Sequence, residues 1–138
     1  MICQWDDVPW KAHEHGELRY ERQRLGAAAG SANVGLSRFR IAPGARHMPQ
    51  HVHADEEELF VVLDGDEFAV RRGSVVARPA ATGVAHDFQA GDGGMSLQAY
   101  GTREPNDICW YPDSRKLYFI GIDLVARVEP LDYWDGEG

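Results

Sequence analysis

The feature that most constrains this chain is the run from His51 to Gly65, in which His51, His53 and Glu58 precede the strongly β-prone stretch Leu59 to Leu63. Side chains on an extended backbone alternate faces, so two histidines separated by one residue project to the same side. With a carboxylate delivered beside them, the two imidazoles make a nitrogen and oxygen site suited to a divalent metal. If Glu58 faces inward, Phe60 and Val62 share its face, and Leu59, Val61 and Leu63 take the other. Both faces are apolar, which suits a strand buried inside and covered outside by sheet or by a second subunit.

The chain has 138 residues, enough for one domain with a real core and too few for two of ordinary size. A formal charge of -8 argues against a phosphate-backbone partner, because such proteins concentrate Lys and Arg. Neither nucleic acid nor membrane is expected as a partner, since no apolar run approaches membrane length. Cys3 and Cys109 make no disulfide framework and no signal-like segment opens the chain, so the expected compartment is the cytoplasm.

Along the chain, residues 1–33 read as an N-terminal arm. Trp5 and Trp10 flank Val8-Pro9 and suggest docking on the protein's own barrel or on a neighbouring subunit, while His13-Glu14-His15 lies among charges and reads as a decoy. Leu25 to Asn33, rich in Gly and Ala, reads as a loop rather than a helix. Residues 34–128 carry the strand signals. Val34 to Ile41 has strand composition, with a bulge expected where its alternation slips between Leu36 and Phe39. Further strands are expected over Phe68–Arg71, Ser74–Ala77, from His86 onward, over Met95–Tyr100 and over Leu117–Leu124, with turns at Gly101–Asp107 and Trp110–Ser114. Residues 129–138 pair aromatics with acids and are expected to pack on the barrel. Many short strands separated by turns imply an all-β sandwich or barrel.

A second segment sharpens the metal reading. Gly73 to His86 runs as a strand, a Pro79 and Gly83 corner, then a histidine, which would bring a third imidazole to the first two. Alone, a histidine in that place is most often hydrogen-bonded in a core or at a surface. Beside His51, His53 and Glu58 it reads as a fourth ligand.

These two ordered motifs resemble those of the cupin superfamily. The first matches at His51, His53, Glu58 and Gly65, and the second at Gly73, Pro79, Gly83 and His86. The resemblance implies a cupin-type jelly-roll β-barrel, a metal held by three histidines and a glutamate in its mouth, and homodimers. The chain looks most like small single-domain bacterial cupins without an assigned role, some described as candidate sugar-phosphate isomerases. It departs from the pattern in a longer spacer before His51, a longer one between Pro79 and Gly83, and Ala90 where the motif has asparagine. The inter-motif region is also shortened to Asp66–Arg72, which at about 3.3 Å per residue spans one strand but not two plus a turn. The barrel must then lack a strand pair or be closed by the arm or a partner.

The expected cofactor is one divalent ion, with Zn, Fe, Mn and Ni all acceptable to the ligand set. The expected substrate is a small polar or anionic molecule. Arg38 and Arg40, which share one strand face, could bind its carboxylate or phosphate, and Gln98 and Tyr100 could make further contacts. The expected function is isomerase- or epimerase-like chemistry on a sugar or sugar phosphate. The alternatives are an iron-dependent dioxygenase and a non-catalytic small-molecule-binding protein. No serine elbow competes, and Cys109 lies in a turn-rich segment with no histidine near it in sequence.

Overall fold

The computed structural model describes every residue of the chain except Phe68, so the expected start of a strand there lies outside the described residues. The strands run β1 (Lys11–His15), β2 (Leu18–Gln23), β3 (Val34–Ile41), β4 (Val52–His53), β5 (Glu58–Glu67), β6 (Val70–Arg71), β7 (Val75–Arg78), β8 (Met95–Thr102), β9 (Ile108–Tyr111), β10 (Lys116–Phe119) and β11 (Leu124–Arg127). A 7-stranded sheet has the order β1-β2-β3-β8-β5-β6, with β7 also paired to β5. A 4-stranded sheet has the order β11-β10-β9-β4, and every named pairing in both is antiparallel. The architecture is all-β, as the strand and turn pattern predicts.

Strict alternation builds the core. On β3, β5 and β8 the inward set is Phe39, Ile41, Phe60, Val62, Met95 and Leu97, joined by Ala45, Phe88 and Ala90 from the loops. Removing apolar surface of this kind from water is worth about 25 cal/mol per Å², which is why these strands commit to one register. The face expected for Glu58, Phe60 and Val62 is the one observed, with Leu59 on the other side.

Several expectations are corrected. Residues 11–23 are no loose arm but the hairpin β1-β2, whose second strand pairs with β3 and widens the sheet. Polar side chains on both faces of that hairpin hid its strand character. β3 carries no bulge: it pairs with β8 without interruption from Val34 to Ile41, and the irregularity falls instead on β5 between Val62 and Asp64. Leu36 breaks the apparent alternation because it stands on the outer face, where it lines a recess with Cys3, Trp5 and Leu25. Leu25–Ala28 is a short helix, α1, rather than a loop. The expected turn at Trp110–Ser114 begins inside β9, and the expected last strand divides into β10 and β11 around a 3-10 turn closed by Asp123 at φ 50°. The C-terminal aromatics stay exposed, Tyr133 at 84% and Trp134 at 70%, and do not pack on the barrel as expected.

The short inter-motif region is resolved by economy: β5 extends to Glu67 and β6 returns for only two residues. Gly65 makes this possible, since at φ +86° a Cβ there would stand 2.3 Å from the carbonyl oxygen of Gly94. No helix among the described residues is long and apolar enough to cross a membrane.

Candidate metal centre

Segments 45–51 and 86–90 run side by side, tied by Ala90 N–H to Ala45 O at 2.9 Å and His47 N–H to Phe88 O at 2.8 Å. The pairing ends on His51 and His86, which exchange both backbone hydrogen bonds, at 3.2 and 3.0 Å. Two residues paired in this way carry their side chains on one face, and the imidazole centroids stand 4.8 Å apart. The strand expected from His86 onward is therefore present only as isolated bridges, yet it delivers the ring. His53, two residues beyond His51 on β4, sits 5.0 Å from it, centroid to centroid. Glu58 opens β5 and reaches the group from the larger sheet, its Oε2 lying 3.0 Å from His86 Nε2 and 3.5 Å from His53 Nε2.

These separations suit a shared cation. Two ligands each about 2.1 Å from one ion lie roughly 3.0 Å apart in octahedral cis positions and roughly 3.4 Å apart in a tetrahedron. Ligand atoms of His51, His53 and Glu58 all fall within 4.8 Å of one another. The second nitrogens are already engaged: His51 Nδ1 donates to Pro49 O at 2.9 Å, and His53 Nδ1 donates to Asp107 Oδ2 at 2.5 Å. Each bond fixes a tautomer and leaves Nε2 free as a donor to metal. Asp107 is buried and held in turn by the Asp55 N–H at 2.8 Å.

A second group, His53, Asp107 and Cys109, is also close enough to suggest a metal. Its geometry fits a support better. Nδ1 and Oδ2 at 2.5 Å are hydrogen-bonded to each other and stand too close to be two ligands of one ion. Cys109 corrects the sequence reading: it lies on β9, in register with His53, and its Sγ is 3.3 Å from His53 Nδ1. Pairing between strands, which sequence distance does not disclose, brings the two together.

Electrostatics follow from burial. Burial pushes the His51 imidazole below its ordinary range and so keeps it neutral, the form that binds metal. Burial also disfavours charge on His53, but hydrogen bonds with Cys109, Glu58 and Asp107 outweigh it and raise that group to about 11. Burial works against the Glu58 carboxylate too, and the hydrogen bonds of His53 and His86 overcome it, holding the group below the usual carboxylate range. Without a cation, His53 thus supplies the positive charge that Glu58 faces. Glu56 at the rim is raised by burial despite the Glu104 N–H, and the Tyr111 phenol, stacked 5.7 Å from His51, is pushed up to about 12 by burial.

The four histidine and glutamate positions open into a cavity of about 300 Å³ whose wall also includes His47, Tyr111, Arg22, Arg24 and Arg103. Those five were not singled out from the sequence. Of the expected substrate contacts, Arg38, Arg40 and Gln98 are not brought to the cavity. They occupy the outer face of β3 and β8, where Arg38 lies over Trp5 at 3.9 Å and Arg40 over Trp10 at 4.0 Å. Tyr100 is at the cavity lining but is itself exposed.

No protein-family model matches the sequence, and no curated protein matches it either. Solved structures do. The chain superimposes on a sugar phosphate isomerase from a cupin superfamily of Silicibacter pomeroyi with a TM-score of 0.81, at 23% identity over 96% of this chain and 98% of that one. The chain has the cupin fold. A second cupin-fold neighbour, described as a candidate sugar phosphate isomerase of Acidithiobacillus ferrooxidans, gives a TM-score of 0.78 at 23% identity over 92% of each chain. More distantly, oxalate decarboxylase of Bacillus subtilis, a protein with Mn(II) centres, gives 0.50 at 18% identity over 71% of this chain and 28% of that larger one.

Proposed function

We propose that this cupin is a metal-dependent enzyme that acts on a small polar or anionic substrate, with isomerase- or epimerase-like chemistry on a sugar or sugar phosphate. The observation that carries the reading is the convergence of His51, His53, Glu58 and His86 with the Nδ1 atoms of His51 and His53 already engaged. Those four residues would hold one divalent ion, of the set Zn, Fe, Mn and Ni. When bound, such an ion supplies Lewis-acid polarisation of a substrate carbonyl or hydroxyl oxygen. Tyr111 stays protonated at neutral pH and can donate a hydrogen bond into the cavity. Glu56, with its raised carboxyl at the rim, is placed to hold or move a proton. The likeness to two sugar phosphate isomerase structures supports the substrate class by analogy of fold.

Dimerisation belongs to the same proposal. On the outer face of the β5-β7 pair, Leu59 is 38% and Val75 65% exposed, an apolar surface a second copy would cover. Light scattering of the purified protein tests it, and a monomer at micromolar concentration would remove it.

Elemental analysis tests the centre. Purified protein should carry close to one equivalent of a transition metal, and His51→Ala and His86→Ala should carry almost none. Equal, low metal in all three would leave only the fold. A proton NMR screen of aldose and ketose phosphates then tests the chemistry, and the metal-loaded protein should interconvert at least one pair.

A further inference from the structure

The cavity wall holds an arrangement of charge that the metal centre does not use. Arg22 and Arg24 come from β2 and the residue after it, and Arg103 follows β8, so three guanidinium groups from two regions meet on one cavity. Arg22 is anchored, with Nε and Nη2 each 3.1 Å from Ser37 Oγ, and its side chain lies over Phe39 at 5.2 Å. Arg103 lies flat against the bare backbone of Gly35, where a Cβ would come within 3.0 Å of its Nη2 and 3.1 Å of its Nε. Among the described residues none of the three has a carboxylate within ion-pair distance, whereas Arg46 is paired with Asp87 at 2.6 Å and Arg40 with Glu21 at 3.9 Å.

Pairing would have been easy to arrange. Glu56 and Glu58 line the same cavity, yet neither is within ion-pair distance of the three guanidiniums among the described residues. Burial, and after it repulsion from Arg24 and Arg103, depresses the Arg22 guanidinium below its ordinary range. Like charges gathered at such a cost are stabilised by an anion seated among them. Planar forks with several N–H donors are also the groups that match a tetrahedral or carboxylate oxyanion.

We infer that Arg22, Arg24 and Arg103 form the receptor for the oxyanion end of the substrate, a phosphomonoester or a carboxylate, while its other end faces the histidine and glutamate cluster. The inference rests on the proposed reading of this cavity as the substrate site, and it replaces Arg38 and Arg40 in that role. Arg22 is partly structural through Ser37, so the adjustable members are Arg24 and Arg103.

The test titrates inorganic phosphate and, separately, malonate into chelator-treated protein by calorimetry. Three proteins are compared: the natural chain, the inner pair Arg24→Gln/Arg103→Gln, and the outer pair Arg38→Gln/Arg40→Gln, which makes the same change of net charge. Natural protein should bind at least one of the two anions saturably, and the one bound tighter identifies phosphate or carboxylate as the group read. The inner pair should weaken that binding by roughly tenfold or more, as expected for loss of charged hydrogen bonds, and the outer pair by less than about twofold. Absence of saturable binding to natural protein, or equal weakening by the two pairs, overturns the receptor. The metal reading is separated by His51→Ala, which should lose metal and keep anion binding. If His51→Ala retains metal while the inner pair loses the anion, the metal centre is wrong and the receptor stands.

Discussion

The two faces of β2 and β3 carry the same residue type to opposite ends. On the inner face, Arg22 stands over Phe39 and opens on the cavity without a carboxylate partner. On the outer face, Arg38 and Arg40 lie against Trp5 and Trp10, and Arg40 is also within 3.9 Å of Glu21. The outer guanidiniums fasten the N-terminal segment to the sheet, and the inner ones are held ready for something the chain does not contain. One position along a strand is the whole difference, because adjacent side chains point to opposite faces. A substitution inside should therefore change binding, and one outside should change stability alone.

The largest inside effect is expected at the ligands. His51→Ala and His86→Ala should reduce bound metal from near one equivalent to near zero, whereas Arg38→Ala and Arg40→Ala leave it unchanged; metal analysis after gel filtration reads both. Asp107→Asn comes next. It removes the carboxylate that orients His53 through Nδ1 without touching a ligand atom, and loss of such support costs about 10- to 100-fold in metal affinity. Competition against a chromophoric chelator measures it, and an unchanged affinity would mean that Asp107 serves only the loop at Asp55.

The inner face itself divides into a wet mouth and a dry floor. His47 is 3% exposed on that floor, ringed by Phe39 at 4.2 Å, Tyr20 at 5.3 Å, and Phe60 and Phe88 each at 6.4 Å, with no protein partner for its Nε2 among the described residues. Burial lowers its pKa from 6.5 to about 3. The unfolded chain therefore binds a proton near pH 6.5 that the folded one refuses until about pH 3, so stability is complete above pH 6.5 and is lost as the pH falls below it. His47→Phe removes this dependence. Relative to natural protein, the variant should gain about 2 kcal/mol on going from neutral pH to pH 5, read from urea unfolding at the two values. A constant difference between the two proteins at both values would show that His47 is hydrated and titrates freely.

How much of this was legible in the sequence depends on contrast. His51, His53, Glu58 and His86 stood out because imidazoles and a carboxylate flank apolar runs with turn residues at fixed spacing; in the structure the ligand atoms of His51, His53 and Glu58 lie within 4.8 Å of one another, and His86 Nε2 joins them through Glu58 Oε2 at 3.0 Å. The strands of the core were visible for the same reason: Met95 and Leu97 alternate with Ser96 and Gln98, and burial follows that period. β1 and β2 were not visible, since Lys11 to Arg24 is polar on both faces and offers no period to detect. With that strand hidden, so was the face shared by Tyr20, Arg22 and Arg24. Asp107 and Cys109 were hidden differently: they reach His53 only because β4 pairs with β9, and a pairing across that much chain has no local signature. Arg38 and Arg40 were seen as a pair on one face, and only the tryptophans that cover them decided which face it was.

The smallest expected effects lie outside, and they test the comparison most strictly. Arg38→Ala loses a stacked contact with Trp5 at 3.9 Å and a 3.4 Å hydrogen bond to Gln23 Oε1, while Gln23 is itself buried and bonded to the carbonyls of Trp5 and Val8. A cation over an aromatic face at a partly covered site is worth about 0.5–1 kcal/mol, so unfolding should become easier by about 1 kcal/mol. Arg40→Ala loses a more exposed contact with Trp10 and an ion pair whose partners are both open to water. Water and salt screen such pairs, and the loss should stay near 0.5 kcal/mol or below. Both variants should bind metal and phosphate as the natural chain does, because among the described residues their outer face is joined to the cavity only through the backbone of the sheet. If Arg40→Ala weakens phosphate binding as much as Arg24→Gln/Arg103→Gln, the sheet transmits charge through its thickness and the division into a fastening face and a binding face fails.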